Sequence, residues 1–322
     1  MEIQEIKIND NFYYTVSNLS NKNFPNTESF SIFNQAAFLN LHKDLNISIF
    51  HLYKSNKNQC LGVINFSSEE DYFQSPCIGS YGGFEFKDGI DYEIKHKFIE
   101  STINFIRLKK IKKIKIKVAP QIYNKNENAE INSILHNLGF QIKHSDLNQY
   151  IDINNYSIDK SVSYGNRKRI KNCSNLNFKF SELTNDQYFS AFKIISDNRK
   201  RRGYPLTMNW SGISEMVKVF NKKILFFGLI DNEKIIASAI CINVLKSILY
   251  VFYWGETGGY ENLSPVAYLS NKIVNYSKSN DFKILDVGIS SVSSKVNSGL
   301  FKFKQNIGCD VCNKFIYEKS FS

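Results

Sequence analysis

One pattern in this chain is written twice, and it restricts the fold more than any bulk property. Leu285-Asp286-Val287-Gly288-Ile289-Ser290 reads as an apolar strand that runs into an acidic residue and a glycine. A Ser/Asn-rich loop follows. Asn297 to Gly308 then reads as a short helix that carries Phe303-Lys304 and stops at a glycine. Ile114 to Pro120 is likewise a strand followed by a loop, and Asn132 to Gly139 is likewise a short helix stopped by a glycine. A strand follows each copy. The copies lie about 170 residues apart, far beyond any solenoid period. The chain therefore reads as two similar domains, 1–157 and 158–322.

The length supports that division, since 322 residues give each half enough chain for its own core. A 43% hydrophobic and 14% aromatic content excludes a disordered chain. Charge is uneven. Residues 1–160 hold 18 basic and 18 acidic side chains, whereas residues 161–322 hold 23 and 12, so the whole excess of +11 lies in the second half. Its densest parts are Arg167-Lys168-Arg169 with Lys171, and Arg199-Lys200-Arg201-Arg202. A localised positive field favours a polyanionic partner. The start of the chain has no apolar signal region, and the apolar runs Ile224–Ile230 and Ile235–Leu245 are too short to span a bilayer. A cytoplasmic protein without membrane insertion is expected. Six scattered cysteines, with only Cys309 and Cys312 at a motif spacing, give no metal site and suit a reducing compartment.

Local patterns complete the outline. Ile47–Tyr53 and Cys60–Phe66 are rich in β-branched and aromatic residues and read as paired strands. Ile94–Leu108 has apolar residues at helical spacing. Lys113–Val118 alternates basic and apolar residues, the mark of a strand with one wet face. In the second half, Leu183–Arg202 and Met208–Phe220 read as helices, and Ile224–Ile230 with Ile235–Asn243 as a hairpin over Asp231-Asn232. Ile248–Tyr253 is a strand, and Pro265–Lys278 a helix with Ser264 as its N-cap. Phe282–Val287 is the next strand. Mixed sheets flanked by helices make this an α/β protein.

That order resembles the GNAT acyltransferase fold used twice, each domain a mixed, mostly antiparallel sheet flanked by helices. Leu285-Asp286-x-Gly288, Asn297-x-Gly299-Leu300-x-x-Phe303-Lys304 and Ile307-Gly308 are similar to the C-terminal half of tandem-GNAT proteins. These include the Fem-type peptidoglycan aminoacyl transferases and related sugar N-acyltransferases. Ser80 to Phe84 and Gly165 to Asn172 resemble segments of the same group. The resemblance implies direct transfer of an acyl group to an amine. It makes acyl-CoA the expected co-substrate and a nucleotide-linked amino sugar for surface polysaccharide the expected acceptor. The alternative it leaves open is a Fem-type enzyme using aminoacyl-tRNA on a peptidoglycan precursor.

Such chemistry needs a base for the amine, a donor for the oxyanion and a cradle for phosphates. The resemblance assigns the oxyanion to Lys304. Lys302 and Lys304 are two residues apart on a helix, so only one of them points inward. Asp286 and Glu256 are the candidate bases, as acidic residues beside the expected cleft, where a carboxylate at the carboxyl end of a sheet strand is well placed for a ligand, and all five histidines lie in the first half. Gly258, Gly259, Asn262 and Ser264, before the Pro265 helix, are the candidate cradle for the pyrophosphate of acyl-CoA, although the usual glycine signature is absent. Arg167, Arg169, Arg199, Arg201 and Arg202 are candidates for a nucleotide diphosphate through forked contacts, and Tyr81, Tyr204 and Trp254 for stacking on a base or sugar.

Overall fold

The computed structural model describes residues 4–19, 25–55 and 57–321. The chain forms two compact units. The first is Met1–Asp146 with Asn313–Ser322, and the second is Leu147–Cys312.

In chain order the elements begin with strands β1 (Gln4–Lys7) and β2 (Phe12–Asn18), helix α1 (Ala36–Leu39), then β3 (Ile47–Lys54), β4 (Lys57–Glu69), β5 (Tyr72–Ser75) and β6 (Glu85–Phe86). Helix α2 (Tyr92–Leu108), β7 (Lys113–Lys117), α3 (Lys125–Asn137) and β8 (Gln141–Asp152) follow. Next are α4 (Ile158–Ser161), α5 (Tyr164–Asn175), β9 (Lys179–Glu182), α6 (Tyr188–Arg201) and α7 (Trp210–Phe220). The chain continues through β10 (Ile224–Asp231), β11 (Lys234–Leu245), β12 (Ile248–Glu256) and α8 (Pro265–Ser279). It ends with β13 (Ile284–Ile289), β14 (Ser291–Val292), β15 (Lys295–Val296), α9 (Ser298–Asn306) and β16 (Asp310–Ser320). Among the described residues no helix is long and apolar enough to cross a membrane.

In the first unit the strands run in the order β1-β2-β3-β4-β5-β7-β16. Pairing is antiparallel except where β5 meets β7 in parallel, Tyr72 opposite Lys113 and Ser75 opposite Ile116. The alternation of β7 is borne out: Ile114 and Ile116 are buried while the intervening lysines are only partly so. Its other neighbour is the C-terminal strand, Ile316 opposite Lys117. Phe98, Ile99, Ile103 and Ile106 of α2, with Ile131, Ile134 and Leu135 of α3, pack on Phe50, Leu52, Ile64 and Phe66 of the sheet.

In the second unit the order is β8-β13-β12-β11-β10-β9. The one parallel pair among its described strands is β12 with β13, Ile248 opposite Ile284 and Tyr250 opposite Asp286. The β10–β11 hairpin turns through Asn232 and Glu233, both with positive φ, which gives the tight right-twisted connection a hairpin favours. The antiparallel pairing of β13 with β8 breaks between Asp286 and Gly288. Ala267, Leu269, Ile273 and Val274 of α8 bury against Phe227, Leu229, Leu249 and Leu285.

Several helix starts differ from the sequence reading: α3 begins at Lys125 rather than Asn132, and α7 at Trp210 rather than Met208. Thr184 and Gln187 form a capping box on a short turn, which delays α6 to Tyr188. Ser264 has φ +51 and its side chain makes no cap, although Pro265 does open α8.

Candidate active site

Lys304 and Asp286 both bond Gly288 in the second unit. Helix α9 opens on Asn297, whose side-chain oxygen accepts the Leu300 amide at 3.0 Å. It ends before Gly308, whose φ of +96° suits the left-handed stop of a helix. Between them Lys302 is exposed and Lys304 is 3% exposed, so the inward lysine is Lys304. Its Nζ donates to the carbonyl oxygens of Gly288 at 2.9 Å and Ile289 at 2.8 Å. Burial pulls the Lys304 ammonium down to about 8, opposed by the neighbouring Cys309 and Asp286. Desolvation disfavours the charged amine more than these neighbours restore it.

Both carbonyls come from the break in β13. Asp286 is 1% exposed. Its Oδ1 accepts the Gly288 amide at 2.8 Å and the Asn148 side-chain amide at 2.7 Å. Gly288 has φ +76, a conformation that glycine adopts without steric cost. A further bond ties Ser290 Oγ to Gln149 Oε1 at 2.5 Å, and Gln149 Nε2 donates to the Phe301 carbonyl at 3.2 Å. The loop from Gly288 to Ser290 is therefore pinned to β8 and to α9 at once.

Two of the aromatic candidates reach α9. Phe303, next to Lys304, meets Trp254 edge-on with ring centroids 6.0 Å apart. Asn297 Nδ2 donates to the Tyr204 hydroxyl at 3.2 Å. Tyr81 belongs to the core of the first unit. It is 1% exposed, meets Phe33 and Tyr123 edge-on, and has the Lys314 ammonium 5.7 Å from its ring centre.

The arginines hold the fold's own backbone. Arg167 donates to the carbonyls of Asp159 and Val162, Arg199 to that of Pro205, and Arg201 to that of Glu256. Arg169 donates to the Asn166 side chain. Arg199 spends its Nε and Nη2 fork on one carbonyl, whereas Arg167 and Arg169 use Nη1 alone.

Glu256 is buried, and its carboxylate takes Arg202 at 3.0 Å and the Val266 amide in the first turn of α8. Burial pushes its carboxyl up, with Arg202 opposing. Glu261 Oε2 accepts the Gly259 amide at 2.9 Å. Gly258, Gly259 and Asn262 are exposed, and Ser264 is half-buried. Of the amides expected to cradle a diphosphate, that of Gly259 in the loop is taken by Glu261 and that of Val266 in the first turn of α8 by Glu256. A diphosphate bound to these two amides would have to displace both carboxylates. Among the described residues no group of three or more His, Cys, Asp or Glu is placed to hold a metal.

Sequence reasoning missed Asn148, Gln149 and Asn297. Asn297 was visible as the polar residue before an apolar helix. Asn148 and Gln149 lie about 140 residues from their partners, and no short-range pattern joins them.

No family model and no curated protein matches the sequence. Solved structures do match the fold. FemX aligns over 91% of this chain and 93% of its own, at TM-score 0.68 and 12% identity. L-PGS from Bacillus licheniformis aligns over 80% of each chain at TM-score 0.57 and 11% identity. A C-terminal DUF2156 domain from Agrobacterium fabrum aligns over 81% of this chain and 82% of its own, at TM-score 0.55 and 10% identity. With mostly antiparallel strands flanked by helices in both units, the chain has the Fem-like tandem GNAT fold.

Proposed function

We propose that this chain moves an acyl or aminoacyl group from an activated ester to an amine, with Lys304 at the reaction centre. The observation that carries this reading is the Lys304 ammonium itself, buried and aimed by two backbone carbonyls. An ammonium has three donors. Two are used by Gly288 and Ile289, and the third is the one that meets the oxyanion. When the amine attacks, the carbonyl oxygen takes up negative charge, and a fixed donor in a dry site stabilises it. The carbon–nitrogen bond forms in that attack, and the bond to the leaving group breaks as the oxyanion collapses back to a carbonyl. The amine proton goes to the leaving oxygen, because Asp286 and Glu256 are buried and committed to the contacts described above.

Between the two donors, aminoacyl-tRNA is the better fit. Glu256 and Glu261 stand where the diphosphate of acyl-CoA was expected. The basic excess of the second half suits a long polyanion. The likeness to FemX supports the same choice of fold type. The acceptor is an amine on a nucleotide-linked cell-surface precursor, a class that includes both a peptidoglycan precursor and a nucleotide-linked amino sugar. Charged tRNA and such precursors place the reaction in the cytoplasm.

The test supplies the protein with charged tRNA or acyl-CoA and a panel of nucleotide-linked amines, and weighs the products. Transfer from charged tRNA, lost in Lys304→Ala, is the expected result. Efficient transfer from acyl-CoA would reverse the order of donors. A Lys304→Ala protein as active as the parent would end the reading.

A further inference from the structure

We propose that Asp286 is a positioning residue, which, braced by Asn148, holds the Gly288 turn and through it the two carbonyls that aim Lys304. This inference rests on the reaction centre proposed above and assigns a role within it. An acidic residue at the end of a sheet strand is an obvious choice for the base. Its surroundings give it a different task.

Three observations converge. Asp286 Oδ1 accepts the amide of Gly288, two residues on, which is an Asx-type turn that bends the chain out of the strand. At that point the pairing of β13 with β8 shifts register, and Gly288 takes a positive φ. A side chain at Gly288 would be strained by that φ and would meet the Tyr250 ring at 3.5 Å. The turn delivers the carbonyls of Gly288 and Ile289 side by side to one ammonium. Asn148 on β8 donates to the same carboxylate oxygen at 2.7 Å. A carboxylate 1% exposed and already accepting these donors is not placed to take a proton from an incoming amine.

The charge of Asp286 has a second effect. It opposes the burial that depresses the Lys304 ammonium, together with Cys309, which itself lies near Asp310. Removing the charge while keeping the turn therefore lowers the pH at which Lys304 loses its proton. An ammonium that serves as oxyanion donor acts below that pH, so the alkaline limb of the rate profile moves to lower pH.

The experiment compares Asp286→Asn, Asp286→Ala and Asn148→Ala in the full chain. It measures kcat, KM and the pH profile of transfer, and determines crystal structures of the variants. In Asp286→Asn the side-chain oxygen still accepts the Gly288 amide. We expect the turn to persist, kcat to fall by no more than about tenfold, and the alkaline limb to move down. In Asp286→Ala we expect the Gly288 and Ile289 carbonyls to leave Lys304 and kcat to fall by about a hundredfold, with KM little changed. Should that variant not fold, Asn148→Ala decides, with a displaced turn and a loss of about tenfold expected.

If Asp286→Asn loses a hundredfold or more while its crystal structure keeps the Lys304 contacts, Asp286 is the base and the proposal is overturned. Unmoved carbonyls in Asp286→Ala, or in Asn148→Ala where that variant decides, overturn it equally. If instead Lys304→Ala transfers normally, the reaction centre is lost as a reading. The crystal structures still show whether Asp286 holds the turn.

Discussion

Helices α3 and α9 share one plan in the two units. Each opens on an asparagine whose side chain accepts an amide three residues on, Asn124 from Glu127 at 3.2 Å and Asn297 from Leu300 at 3.0 Å. Each stops at a left-handed glycine, Gly139 with φ +82 and Gly308 with φ +96, and leads into a strand. Four residues before that glycine the units part. The first has Leu135, fully buried among Ile131, Ile134 and Phe98, and the second has Lys304. The neighbouring strands differ in the same sense. The inward positions of β7 are Ile114 and Ile116, whereas β13 buries Asp286 and bends at Gly288. One scaffold has an apolar core where the other keeps an ammonium and a carboxylate. Burying a charge is costly unless it is paired and hydrogen-bonded, and the cost at Lys304 is borne for its use. The duplication thus separates what the fold needs from what the chemistry needs.

Exchanging those two residues gives the largest contrast. Lys304→Ala is expected to lower kcat by a factor on the order of a hundred or more, as loss of an oxyanion donor does elsewhere. Leu135→Ala is expected to leave kcat per folded molecule intact and to cost about 2–5 kcal/mol of stability, since it opens a cavity in a closed core. Steady-state transfer and urea unfolding of both variants measure this. Equal catalytic losses would break the distinction between the units.

Stability should respond in the opposite direction. A lysine held at about 8 instead of the ordinary 10.5 is charged in both folded and unfolded chains at pH 7 and suffers in the folded one. That gap corresponds to about 3 kcal/mol. Lys304→Met is therefore expected to be more stable than the parent at pH 7. The advantage should shrink as pH rises from about 8 toward 10.5, where the lysine is neutral in both states. Chemical denaturation at several pH values reads this directly.

The first unit carries its own partly buried charge at the start of α3. Burial, with Glu85 nearby, pushes Glu127 up to about 7. Its carboxylate costs stability above that pH, and the cost disappears below the ordinary 4.5. Glu127→Gln keeps an acceptor for the Phe86 amide, which Glu127 Oε1 takes at 3.3 Å. It is expected to stabilise the protein by about 2 kcal/mol at pH 8, after allowance for partial exposure, and not at pH 4. The smallest effect concerns the shared caps. Asn124→Ala and Asn297→Ala should each cost about 1 kcal/mol, the same in both units. A much larger catalytic loss in Asn297→Ala would show that its bond to Tyr204 matters beyond capping.

The parts legible in the sequence are those written in local periodicity. The strand–loop–helix–glycine pattern identified the duplication, and the spacing of Lys302 and Lys304 required one of them to be buried. What the sequence hid depends on distant partners. Asn148 reaches Asp286 across 138 residues, and the C-terminal strand pairs with β7 from about 200 residues away. The carbonyls that Arg167 and Arg199 hold lie in turns that composition does not reveal. Ser264 looked like a cap because its type is right, while its positive φ turns the side chain away and Glu256 takes the helix amide instead.

The most direct measurement is the pH dependence of kcat for the parent and for Lys304→Ala, with saturating donor and acceptor. A parent profile that falls above a pH near 8, and a variant profile about a hundredfold lower with no such limb, is the expected result. Two profiles that superimpose would remove Lys304 from the reaction.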